Sequence, residues 1–137
     1  MKALILTSFF LFFMTSFTAP PELPSKIKTY TEKHFPGKKL TKYKTEWTPE
    51  KGKYKVYLDY DVKIEFDGDY NPIEIDGKGG LPDSVIPDKL LKYSKENYPD
   101  RKIIEWEKST YKNKQEIELD NGIELEFDLE GNFLRID

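Results

Sequence analysis

Any chemistry in this chain would have to come mainly from its acids. The 137 residues hold 25 Asp and Glu, a single histidine and no cysteine. His34 has no serine at a triad-like spacing, and no glycine loop runs into a Lys-Ser or Lys-Thr pair that could cradle phosphate. A polar residue at a helix end is the simpler account of His34, because the matching place later in the chain is Asn97. Paired carboxylates could support hydrolysis, but acids that alternate along strands read first as a solvated sheet face. Asp67-Gly68-Asp69-Tyr70-Asn71 imitates the opening of a calcium loop. The imitation then fails, since Pro72 stands where the loop needs glycine for its sharp turn and Lys78 where it needs a bidentate Glu. An ordinary turn is expected there, as at Asp128-Leu129-Glu130-Gly131-Asn132. No catalytic residue, metal set or cofactor motif is expected.

The elements that position these acids are written twice. In the stretch Val56 to Asp76, residues Asp59, Glu65, Phe66, Asp67, Asn71, Ile75 and Asp76 recur as Asp120, Glu126, Phe127, Asp128, Asn132, Ile136 and Asp137. So dense a self-match indicates a duplicated unit. Ahead of the first copy, Ile27, Tyr30, Thr31 and His34 fall at helical spacing, and Pro36-Gly37 stops the helix. The second copy repeats the pattern with Pro87, Tyr93 and Tyr98-Pro99. Alternating segments follow each helix, Lys39 to Trp47 and Lys102 to Thr110, and both read as strands. Two more strands come next, joined in the second copy by Asp120-Asn121-Gly122, whose Asn-Gly suits a tight hairpin. Asp59-Tyr60-Asp61 in the first copy predicts a looser turn. A last turn leads to a short closing strand.

Period-two alternation puts Val56, Leu58, Val62, Ile64, Phe66, Ile73 and Ile75 on one face, with Ile117, Leu119, Ile123, Leu125, Phe127, Leu134 and Ile136 as counterparts, and that face should meet the helix. The expected class is α+β: two tandem repeats, residues 23–76 and 86–137, each one helix packed on a three- to four-stranded antiparallel sheet, with a Gly-rich linker at 77–85. A unit of about 50 residues is marginal alone. The copies should therefore share an interface or one continuous sheet.

Residues 1–19, one lysine followed by an apolar run broken by Thr and Ser, have the layout of a secretory signal peptide, and 20–22 read as a tether. The run is shorter than the roughly 20 apolar residues of a spanning helix, so no membrane contact is expected after cleavage. Without cysteine no disulfide can form, and a periplasmic or secreted protein must be held by packing alone.

Two tandem units that open with Leu-Pro or Ile-Pro, close the helix at Phe35-Pro36 or Tyr98-Pro99, and end in FD-x-x-GN or a variant resemble the PepSY-like, beta-lactamase-inhibitor-like family of small exported bacterial proteins. The likeness covers Leu23 to Asp137; Tyr70 departs from it where the second copy has Gly131. It implies a non-enzymatic binding or inhibitory module in which sheet face and loops form the contact surface. None of the family's functional residues maps onto a position here.

Charge divides between the copies. Residues 23–76 carry eleven lysines against ten acids, whereas 86–137 carry nine basic residues against thirteen acids. On the outward strand faces the expected contrast is Lys42, Lys44, Lys53, Lys55 and Lys63 against Glu105, Glu107, Glu116, Glu118, Glu124 and Glu126. Such a dipolar face could steer a charged partner, or the halves could complement each other. With a net charge of −3 and no basic stripe, nucleic acid is not an expected partner. Aromatic residues of the first copy that meet small or polar residues in the second, Trp47, Tyr57, Tyr60 and Tyr70, join Lys55 as candidate contacts for a protein or peptide. An inter-repeat packing role for these aromatics is the structural alternative. The alternative function is an envelope sensor of a small ligand or cation that uses the acidic second sheet.

Overall fold

The spacing of Ile27 and Thr31, and of Leu90 and Ser94, buries one stripe on each of two ten-residue helices, α1 (Ser25–His34) and α2 (Asp88–Asn97). Gly37, at φ +80°, turns the chain away after α1, a conformation that costs glycine little. A computed structural model describes residues 22–47, 53–59 and 61–137. The signal segment 1–19 and Tyr60 lie outside the described residues.

Each helix is followed by four strands. β1 (Leu40–Thr45), β2 (Tyr54–Leu58), β3 (Val62–Phe66) and β4 (Pro72–Gly77) follow α1. β5 (Ile103–Ser109), β6 (Lys114–Leu119), β7 (Glu124–Asp128) and β8 (Phe133–Ile136) follow α2. The Asn-Gly signal is realised at Gly122, which sits at φ +83° and donates its N–H to Leu119 O.

All eight strands form a single antiparallel sheet in the order β1-β2-β3-β4-β5-β6-β7-β8. The four strands of each repeat therefore do not form a sheet of their own but join in one continuous sheet, one of the two arrangements expected for the copies. The join is β4 on β5, where Glu74 faces Glu107, Ile75 faces Trp106 and Asp76 faces Glu105. A small helix-plus-hairpins unit leaves its last strand's hydrogen-bonding edge and its terminal apolar side chain bare, and pairing the two halves covers both.

Register carries one apolar row across the whole sheet: Tyr43, Val56, Ile64, Ile75, Trp106, Ile117, Leu125 and Ile136. Both helices lie on this side. Tyr30 of α1 meets Phe66 edge-on at 5.5 Å between ring centres, and Tyr93 of α2 meets Phe127 in the same way at 5.4 Å. The core between helices and sheet includes Ile27, Leu90, Ile64, Ile75, Phe66 and Phe127, all without exposure. Four members expected on the buried face are not fully buried: Ile73 and Ile123 are half-buried, while Leu134 and Ile136 are 51% and 57% exposed. Ile75 is covered because β5 brings Trp106 beside it, whereas among the described residues no strand lies beyond β8 to do the same for Ile136.

Candidate functional site

Because side chains alternate across a strand, the residues flanking the apolar row point to the face opposite α1 and α2. They form two further rows. One runs Lys44, Lys55, Glu65, Glu74, Glu107, Glu116, Glu126, Arg135; the other runs Lys42, Tyr57, Lys63, Asp76, Glu105, Glu118, Glu124. This outward face is therefore basic over β1 and β2 and acidic from β3 to β7. Glu65, Glu74 and Asp76 extend the acidic field into the first half of the chain. Sequence reasoning had assigned the field to the second half alone, because only the β4–β5 pairing brings these residues beside Glu105 and Glu107.

At its two ends the field is neutralised by side chains of the same face. Lys63 Nζ bonds Glu74 and lies 3.6 Å from Glu65 and 3.9 Å from Asp76. Lys114 Nζ donates to Glu116 at 2.7 Å and Glu126 at 2.9 Å, and Arg135 reaches the same Glu126 oxygen at 3.0 Å. The hydrogen bonds to Glu116 and Glu126 raise the Lys114 pKa, and the Lys114 contact lowers that of Glu126. Glu116, Glu126 and Asp137 come close enough to chelate a cation. Lys114 and Arg135 already fill that role.

The middle is different. Among the described residues no ion pair reaches Glu105, Glu107, Glu118 or Glu124, which line a cleft of about 90 Å³ with Glu116. Glu105 faces Asp76 on one side and Glu118 on the other. Partial burial, followed by repulsion from Asp76, Glu74, Glu118 and Glu107, pushes its pKa up to about 7. Burial and Glu74 raise Glu107 as well.

A carboxyl that binds its proton more tightly when folded adds stability below its unfolded pKa near 4.5, and that stability is lost as pH rises through about 7. Glu105→Gln should therefore stabilise the protein at pH 8 by on the order of 1–2 kcal/mol, the full linkage value being reduced because the side chain remains half exposed to screening solvent. At pH 4 the variant and the parent should be indistinguishable. Urea titrations at the two pH values measure the difference.

The described sequence candidates fall in three places. Tyr57 lies on the outward face, half-buried, with the Lys42 ammonium 5.8 Å from its ring centre. Lys55 is on that face too, but its ammonium is engaged by Glu46 at 2.9 Å and Glu65 at 3.5 Å, and its side chain is only 13% exposed. Trp47, 68% exposed, stands at the end of the sheet beside Gly68 in the β3–β4 turn. Tyr70 packs on Tyr54 at 5.1 Å, and Tyr54 stacks on Tyr43, a residue of the apolar row. Tyr70 thus joins the packing on the helix side and does not share a surface with Tyr57.

The calcium-loop imitation is a turn, as expected. Asp67 Oδ1 accepts from the N–H groups of Asp69 and Asn71, both at 2.9 Å, and Lys26 Nζ bonds Asp69 O and Asn71 Oδ1. His34 is held by Ser84, Nδ1 to Oγ at 2.9 Å, and by its Tyr30 neighbour at 4.4 Å.

Fold and surface together define an α+β protein whose broad, charge-sorted sheet face is left uncovered by the described helices. The chain belongs to the family described as "Putative beta-lactamase-inhibitor-like, PepSY-like", which matches residues 17–67 and 52–135. Among solved structures, one from Bacteroides thetaiotaomicron, described as a putative calcium-regulated periplasmic protein, is 33% identical and superposes with a TM-score of 0.76 over 85% of this chain and 91% of that one. One from Bacteroides vulgatus, described as a putative periplasmic protein, is 34% identical, with a TM-score of 0.72 over 84% and 90%. A second from the same organism is 29% identical, with a TM-score of 0.72 over 85% and 92%. No curated protein matches the chain. Like these relatives, it is a protein of the periplasm or exterior, and no helix among the described residues is long and apolar enough to cross a membrane.

Proposed function

We propose that the protein is a non-enzymatic exported binding module that engages a protein or peptide partner through the outward sheet face. The observation that carries this reading is the unneutralised group Glu105, Glu107, Glu118 and Glu124 at the centre of a face that neither helix covers. Like charges directly opposite one another on a sheet are unfavourable. A partner that brings lysines or arginines to the face relieves that repulsion, which makes its binding steep in salt and fast at low ionic strength. Tyr57 lies at the basic margin of the face and supplies an aromatic contact there. The family description supports this role, including protein inhibition.

The double variant Glu105→Lys/Glu118→Lys should fail to retain the envelope protein that the parent captures at low salt, while the parent should release that protein as salt rises. Capture unchanged by the double variant would reject the face. A second reading, a cation held by the same central acids, is favoured by the relative described as calcium-regulated. Millimolar calcium should then raise the melting temperature, since a ligand of the folded state stabilises it; an unmoved transition would remove this reading.

A further inference from the structure

On the helix side of the sheet, where the end of α1, the β4–α2 connection and the start of β5 meet, lies a cavity of about 630 Å³. Ligand sites favour such junctions, and this volume lies within the range that accepts small organic molecules. Its apolar lining includes Val62, Leu81 and Ile103, and its polar lining includes His34, Lys38 and Lys102. Among the described residues no acid lines it. The wall is thinned by glycines in the connection. A Cβ at Gly77 would come within 2.9 Å of Leu81 Cδ2, and Gly80 holds φ +102° with the Lys102 stem 3.2 Å from where its Cβ would be. Lys102 is exposed, and among the described residues no carboxylate pairs with its ammonium. Lys38, also in the lining, donates its Nζ to the backbone carbonyl of Asp59 at 3.4 Å.

A cavity with apolar walls and cations but no acid among its lining residues suits one class of molecule. We propose that it binds a small amphipathic organic anion, its apolar body against Val62, Leu81 and Ile103 and its carboxylate at Lys102. The site stands apart from the outward face, so it neither needs nor supports the partner-binding role proposed there.

Octanoate is the probe, with octyltrimethylammonium as the matched cation, each titrated calorimetrically into the full chain. Octanoate should bind saturably at one site. Lys102→Glu should weaken it at least tenfold, and Lys102→Met, which keeps the apolar stem, should weaken it less. Near-ultraviolet circular dichroism confirms that the variants keep the fold, as expected for an exposed side chain. The cation should not bind. Absence of saturable octanoate binding, equal binding of the cation, or unchanged affinity in a folded Lys102→Glu variant would each overturn the assignment.

Discussion

Trp106→Ala is expected to lower the stability of the whole molecule by about 3–5 kcal/mol, the range for truncating a buried large aromatic. Trp106 is 5% exposed and faces Ile75 across the seam that makes one sheet of two halves. Of the three residue pairs in that seam, Glu74 with Glu107 and Asp76 with Glu105 set carboxylates against each other, so the apolar pair must supply the favourable side-chain contact. The indole also donates to Gln115 Oε1 at 3.2 Å, and Gln115 Nε2 bonds the carbonyls of Asp128 and Leu129. Truncation therefore opens a cavity and also removes a bond that orients Gln115 toward the β7–β8 turn. Because the seam joins both cores, chemical unfolding of the parent should be one cooperative transition, and the variant should show a single transition at lower denaturant. A loss confined to half of the signal would mean that the halves fold independently, and a loss below about 1 kcal/mol would mean that the seam does not depend on this contact.

Local structure was readable because local rules decide it. Helical spacing marked both helices, alternation marked the strands and most of the core, and the Asp120-Asn121-Gly122 turn came from its residue types. What was hidden depends on which strands meet. Ile75 and Ile136 occupy matching places in the duplicated stretch, and alternation assigns both to the buried face. Only the presence of β5 beside β4, and of no described strand beside β8, separates a covered isoleucine from an exposed one. The acidic field was half legible for the same reason: Glu105, Glu107, Glu118 and Glu124 follow from parity within their own strands, while Glu74 and Asp76 join them through the seam. Tyr70 was singled out as an aromatic in a turn. Its backbone at φ +66° occupies the left-handed place that Gly131 takes at φ +85° in the second half, and this orientation sets the ring against Tyr54.

Lys55→Ala should cost about 3 kcal/mol, the low end of what breaking a buried ion pair costs, because one other cation remains near the stranded acid. That acid is Glu65, whose side chain is 4% exposed, with Lys55 at 3.5 Å and Lys63 at 3.6 Å from Oε1. Among the described residues its Oε2 has no hydrogen-bond partner, so the carboxylate depends on these two lysines. Removing one leaves a buried charge half compensated, and the loss exceeds anything expected for a surface lysine. If the cost comes from the stranded charge and not from lost packing, Lys55→Met/Glu65→Leu should recover most of it, since well-packed apolar residues often replace a buried ion pair without penalty. Urea titration of the parent, the single variant and the double variant measures both steps. The same proteins test what Lys55 does for binding. Its ammonium already bridges Glu46 and Glu65, so it has little charge to offer a partner, and folded Lys55→Met/Glu65→Leu should capture the partner as the parent does. Lost capture at recovered stability would place Lys55 in the contact surface and shift the centre of the binding face from the acids of β5 to β7 toward the basic strands.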